Sequence, residues 1–372
     1  MRRSGNISCR EHRNRTNNHH AQKQNKARSL NDGTQGYRKC GTSSCDKSKS
    51  KHQLDYELDY ESEDSAGIPD TIDATTDLSI LFEGLSRAGF CRKRQGRVRN
   101  GLNIERFKAH YGVEPQVVQA IFGDIKDEFP TFKLDDFFMT LNWLKLYDTE
   151  HVLSGRWGHC EEIVRKKVKE CAKKIQHLKE KKIVFGGFDE DEFFIITVDG
   201  VNFRTQEFRL DPSSKWFDHK TKSAGLTYEL ALSIRRNALV WINGPFPSGD
   251  GNDGTIYRGG KKDQQMDEWD KTSLFFKMPP NTRAVADSGY AGLPKITTVN
   301  SKHSKRLKKF LTRAKQRQES FHTKLKSFHV LEHRFRHGKS TEEKMALHKM
   351  CVEAVCVIAQ YDLEYGHPVF EV

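Results

Sequence analysis

At residue 183 the spacing of apolar side chains changes from about 3.6 to 2, and this switch limits what the chain can fold into. After it come FFIITVDG (193–200), LTYELALSI (226–234), ALVWING (238–244) and TRAVADSGY (282–290). Each is rich in β-branched or aromatic residues and has Asp, Gly or Asn at or near its end, so each is expected to be a strand. Two helical patterns follow, over 301–331 and 341–362. Strands first and long helices last predict an α/β layer built on one sheet.

Before the switch the pattern is helical. Leu78, Leu81, Phe82 and Leu85 form one stripe; Val113, Val117, Val118, Ile121, Phe122 and Ile125 form another. Leu134, Phe137, Phe138, Leu141 and Leu144 mark a third helix. Thr149 is placed to cap a short one, EHVLSGRW, which ends at Gly158. A last helix over 161–179 turns Ile163, Val164, Val168, Cys171 and Ile175 inward and Arg165, Lys166, Lys167, Lys169, Lys173 and Lys174 outward. Helix, short helix, glycine turn and basic helix is a helix-turn-helix layout, with Lys166, Lys167 and Lys173 facing duplex DNA. The plainer alternative is a three-helix bundle with a solvated basic face. The organisation expected is a tail over 1–70, a helical domain over 71–182 and a sheet domain over 183–372.

The chain carries a net charge of +13, spread unevenly. Residues 1–53 hold 13 Lys/Arg against 3 Asp/Glu, and residues 54–70 hold 7 acids and no base. Segments so poor in apolar residues cannot offset the entropy of ordering, so 1–70 is expected to be disordered. The remainder stays basic, which points to a polyanion such as nucleic acid. CRKRQGRVRN (91–100) is open to reading as a nuclear localisation signal or a phosphate contact. No stretch approaches ~18 apolar residues, so no membrane span is expected. The eight Cys show no paired C-x-x-C spacing, and Cys351 and Cys356 fall in an apolar helical pattern as buried thiols.

Three carboxylates fall where such a fold would bring them together. Asp199 is expected at the end of its strand, before Gly200, and Asp287 at the end of another, in the turn Asp287-Ser288-Gly289-Tyr290. Alone, either is an ordinary turn former. Glu319 lies in a stretch, Lys302 to Lys339, with 13 Lys/Arg and only one other acid, Glu332. Lys315, Glu319 and Lys326 share a polar stripe, with an ion pair between Lys315 and Glu319 as the plain alternative. Carboxylates flanked by cations suit phosphodiester chemistry with Mg²⁺ or Mn²⁺, because hard cations choose oxygen donors and lysines hold phosphate.

The run VDG (198–200), the block HKTKSAGLTYELALSIRRNALVWINGPFPSGDGND (219–253), ADSGYAG (286–292) and RAKQRQESFHTKLKSFHVL (313–331) resemble a DDE superfamily endonuclease. The nearest group is the Harbinger-like transposases with their bacterial insertion-sequence relatives. The resemblance implies an RNase H-like fold with a mixed sheet and helices on both faces. It matches the catalytic triad to Asp199, Asp287 and Glu319, with Lys326 seven residues on and 31 residues between Asp287 and Glu319. Asp253, in the glycine-rich loop, matches a fourth acid and is expected at the rim of the cluster. The chain departs from the pattern at Val201-Asn202, where His or Thr often follows the first Asp-Gly, and at Asn252, where His commonly precedes the loop Asp. The resemblance further implies double-stranded DNA as substrate, a nuclear protein, homo-oligomerisation and an accessory DNA-binding protein.

Three functions fit these features: an active transposase or nuclease, a domesticated DNA-binding protein that no longer cleaves, and an RNA-directed nuclease on the same sheet. The helical domain, suited to duplex grooves, weighs against the third.

Overall fold

Among the described residues seven helices form before residue 183: α1 (Leu78–Arg87), α2 (Asn100–Tyr111), α3 (Pro115–Glu128), α4 (Leu134–Leu146), α5 (Glu150–Trp157), α6 (Glu161–His177) and α7 (Lys179–Lys182). The computed structural model describes residues 78–90 and 100–372, so the expectations for 1–70 and for the basic segment 91–99 lie outside the described residues. Pro115 opens α3, where its missing N–H costs nothing. Gly158 ends α5 with a left-handed backbone, φ 66°, as its position suggested. Thr149 occupies the position before α5, but its side chain makes no capping hydrogen bond.

Two features of α6 differ from expectation. Ile163 is 44% exposed, not inward. Val164, Val168, Cys171, Ala172 and Ile175 make the buried stripe, and a residue one step before it is turned about 100° away. Several outward cations are also tied down: Lys167 to Asp136 at 2.7 Å, and Arg165 to Glu150 through both ends of its guanidinium.

The second part contains β1 (Phe194–Arg204), β2 (Phe217–Asp218), β3 (Ser223–Ser233), β4 (Leu239–Pro247), α8 (Asp253–Arg258), α9 (Leu274–Lys277), β5 (Arg283–Val285) and β6 (Ile296–Thr297). The helices α10 (Lys305–Lys326), α11 (His329–Glu332) and α12 (Thr341–Tyr365) follow. The fold is α/β with a mixed six-stranded sheet. In it β1, β3 and β4 are antiparallel neighbours, β2 also pairs with β3, and β5 and β6 run parallel to β1.

β1 does not end at Asp199, as expected, but continues to Arg204. Gly200 does not stop it, because alternation resumes with Val201 and Phe203 buried and the β3 register unbroken. β5 stops at Val285, level with Thr197. Beyond that level β1 has no strand on the β5 side, and side chains from several elements can approach Asp199 there.

A core of Tyr228, Leu230, Leu232, Val201 and Phe203 is continuous with the apolar faces of α1 to α6. α12, buried around its circumference from Met350 to Leu363, packs on α3, α6 and β4 and joins these layers. The change from helix to strand near 182 therefore falls inside one continuous core. Ile196, Val198, Ala231 and Val240 form a separate cluster with Tyr257, Leu274 and Phe275 of α8 and α9. α10 packs on β1 and β5. Cys351 and Cys356 are buried free thiols, as their pattern indicated. No described helix is long and apolar enough to cross a membrane.

Candidate metal centre

Four acids that are far apart in sequence converge at the open side of β1. Carboxylate oxygens of Asp199, Asp253 and Asp287 lie within 4.8 Å of one another. A second group at the same spacing joins Asp199 to Glu319 and His322. Asp199 belongs to both and is the centre of the site.

Each acid is placed by a different local device. Asp199 extends from the middle of β1, and its Oδ1 accepts from the N–H of Gly200 at 2.9 Å. Asp287 follows β5 and heads a short turn, its Oδ1 accepting from Gly289 N at 2.7 Å. Asp253 is the first residue of α8, where Asn252 caps the helix by accepting from Thr255 N at 2.8 Å. Asn252 thus does a structural task at the point where the sequence departs from the family pattern. Glu319 stands on the exposed side of α10 and makes no ion pair with Lys315 among the described residues, so the plain alternative for it is not what the fold adopts.

Asp253 is not at the rim, as expected, but groups directly with both other aspartates. Its carboxylate occupies a slot made by two glycines. A Cβ on Gly200 would stand 2.3 Å from Asp253 Oδ1, and one on Gly289 would stand 3.1 Å from Oδ2. The two residues that follow Asp199 and precede Tyr290 are glycines because the carboxylate needs that space.

Like charges at this spacing repel, and burial deepens the penalty. Burial first, then Asp253, Asp287 and Glu319, push the Asp199 acid up to about 7. Asp253 is raised too, mainly by burial, with Lys220 opposing. Behind the cluster Glu229, on β3 opposite Gly200, is pushed up to about 8 by burial, although Trp241 donates to it at 2.9 Å.

His322 was not singled out from sequence. It is buried, with Nδ1 3.8 Å from Asp199 Oδ2, and burial holds it down at about 3, so it is neutral. Gln318 fixes its tautomer. The Gln318 amide oxygen accepts from Thr197, so its nitrogen donates, to the Leu230 carbonyl at 3.2 Å and to His322 Nε2 at 3.1 Å. The imidazole hydrogen then sits on Nδ1, facing Asp199. The signal available in sequence was Glu-x-x-His at 319 and 322, one helical turn apart.

Among the expected cations, Lys326 is exposed and Lys315 half-buried, both on α10 with Glu319. Lys166 and Lys173 are exposed on α6 without ion-pair partners among the described residues, whereas Lys167 is held by Asp136. Lys220 acts on Asp253 and was missed, although it lies in the block that carries the resemblance.

The donor set consists of carboxylate oxygens with one imidazole beside them, in a cradle shaped around Asp253. Hard divalent cations choose such oxygens, and a cation would relieve the repulsion that raises Asp199. The residues present therefore fit Mg²⁺ or Mn²⁺. No protein-family model, curated protein or solved structure matches this chain.

Proposed function

We propose that this chain is a metal-dependent DNA nuclease of the DDE transposase type, with Asp199, Asp253, Asp287 and Glu319 holding Mg²⁺ or Mn²⁺. The observation that carries the reading is the convergence of four carboxylates from four separate elements with no Lys or Arg among the described residues within salt-bridge distance, and only a neutral histidine beside them. Stability alone does not favour such a cluster, because each acid raises the cost of ionising the next. A site for a divalent cation explains it.

A bound cation would supply charge neutralisation at the phosphodiester and Lewis acidity toward the attacking water. The protein's own groups do the rest. Asp199, at the centre, is held on one side by Gly200 N–H, and the neutral His322 turns Nδ1 toward its other oxygen at 3.8 Å. Asp287 is held by Gly289 N–H. Lys220 acts on Asp253, Lys326 acts on His322, and Lys315 lies one turn before Glu319 on α10; positive charge there suits phosphates on either side of a scissile bond. Three antiparallel strands continued by two parallel ones, with Asp199 on the central strand and Asp287 just past the end of its parallel neighbour, support an RNase H-like reading. The sequence α4–α5–α6 with its glycine turn supports a helix-turn-helix that presents Lys166 and Lys173 to duplex DNA. A nuclear location, self-association and an accessory DNA-binding protein accompany the same reading.

The test is a nicking assay on supercoiled and linear duplex DNA with Mg²⁺, Mn²⁺ or excess chelator. Metal-dependent cutting lost in Asp199→Asn is the expected result. Cutting that persists in chelator would remove the metal mechanism. DNA binding with no cutting under any metal would leave the domesticated DNA-binding protein instead.

A further inference from the structure

The corner after α10 carries a second group of metal-ligating side chains, with different chemistry. Residues 329–333 read HVLEH. His329 and His333 are four apart, and their rings stack with centroids 4.7 Å apart at 24°. Between them, Glu332 Oε2 lies 3.6 Å from His329 Nε2 and 4.0 Å from His333 Nε2. One donor atom from each of the three lies within 4.8 Å of the others. Three ligands around a tetrahedral zinc stand roughly 3.4 Å apart, so small side-chain rotations close the site.

A separate observation concerns the far nitrogen of His329. Its Nδ1 lies 3.4 Å from the backbone oxygen of Leu146, the last residue of α4. A carbonyl can only accept, so Nδ1 carries a hydrogen, and Nε2, the atom that faces Glu332, is the nitrogen left to bind a metal. Metal-binding histidines are commonly oriented in this way, by giving the other ring N–H to a carbonyl.

We propose that His329, Glu332 and His333 form a second cation site, for zinc or a similar borderline transition-metal ion. Two imidazoles and one carboxylate suit Zn²⁺, whereas Mg²⁺ prefers an all-oxygen set such as the cluster around Asp199. His333 and Glu332 are about half exposed, at 52% and 50%, so the remaining coordination position is open to water or an outside donor. Occupation would tie His333, at the end of α11, to His329, which is anchored on α4. It would therefore stiffen the corner that follows the Glu319 helix.

The test is equilibrium dialysis of the full chain against Zn²⁺ in excess Mg²⁺, counting bound zinc per chain. Cys and His residues of the first 70 positions can also take zinc, so the readout is the difference between variants. Wild type should hold one more zinc than His333→Ala, and Glu332→Gln should bind that zinc about tenfold more weakly or worse. The His333 side chain is exposed, and its charge and ring contacts among the described residues are with Glu332 and His329, so its replacement should leave the melting temperature in chelator nearly unchanged. Asp199→Asn should retain the same zinc. Equal zinc in wild type and His333→Ala would overturn the proposal, as would loss of that zinc in Asp199→Asn, which would assign it to the carboxylate cluster.

Discussion

The carboxylate cluster on β1 and the basic face of α6 are both dense in charge, yet they treat it in opposite ways. On α6, Arg165 and Lys167 are neutralised by Glu150 and Asp136, Lys174 lies over the rings of Phe129 and Phe132, and Lys166 and Lys173 are left to water. Each charge there is paired or solvated, and such arrangements cost little. Around Asp199 four carboxylates gather, three of them partly buried, and together with burial push that acid up to about 7. A region that is costly without a partner says more about function than one that is satisfied by itself. The cluster therefore bears the weight of the functional reading, and α6 supports it only through what remains unpaired.

The sharpest way to break this contrast is Asp199→Asn. Loss of the central ligand should reduce metal-dependent nicking by about 10³-fold or more, since a metal supplies several kcal/mol to the transition state. Affinity for DNA should stay the same or rise slightly, because a negative charge near phosphate is removed. A nicking rate within tenfold of wild type would end the metal-centre reading.

Next in size is the comparison of Asp253→Asn with Glu319→Gln. Asp253 groups with both other aspartates while Glu319 approaches Asp199 alone, so Asp253→Asn should cost at least as much activity, on the order of 10²-fold. Near-normal nicking by Asp253→Asn, with Glu319→Gln inactive, would restore the triad inferred from sequence.

Stability gives an independent measure. The folded-state value of Asp199, near 7, lies above its unfolded value of about 3.9, so the fold prefers the protonated acid. In chelator its contribution is fully present below about pH 4 and is lost as pH rises through about 7. Asp199→Asn avoids that loss, and should be more stable than wild type at about pH 8 by up to about 4 kcal/mol, converging with it near pH 4. Saturating Mg²⁺ should raise the wild type and not the variant. Denaturant unfolding at the two pH values, with and without Mg²⁺, measures this. Equal stability across the range would show that the acids do not strain one another.

The smallest effect is expected on α6. Reversing Lys166 and Lys173 to Glu should weaken duplex binding and lower the salt slope of affinity by about two, one for each phosphate contact. Lys167→Glu should instead lose about 0.5 kcal/mol of stability, because it sets two acids together at Asp136. Gel shifts over a salt series separate the two. An unchanged slope would make α6 a plain bundle helix.

Much of the architecture was legible in the spacing of apolar residues. The helices of 113–179, the strands around Asp199, Leu230 and Trp241, and the two long terminal helices follow from local periodicity, because burial of one face needs only a repeat. Asp199, Asp287 and Glu319 were visible as well: two acids before glycines in apolar runs, and one acid in a basic helix. The end of β1 was misplaced because Gly200 looks like a stop, whereas the residues beyond it continue the alternation and pair with β3.

What only tertiary structure decided was proximity. That Asp253 sits between Gly200 and Gly289, and that His322 turns its Nδ1–H toward Asp199, depends on contacts between elements tens of residues apart. Glu332 and His333 likewise become possible partners through the way α11 ends and lodges on α4. Sequence determines which side chains lie on one face of an element, since that is set by a local repeat. Which faces meet, and which charges are thereby left without a partner, is decided by packing alone.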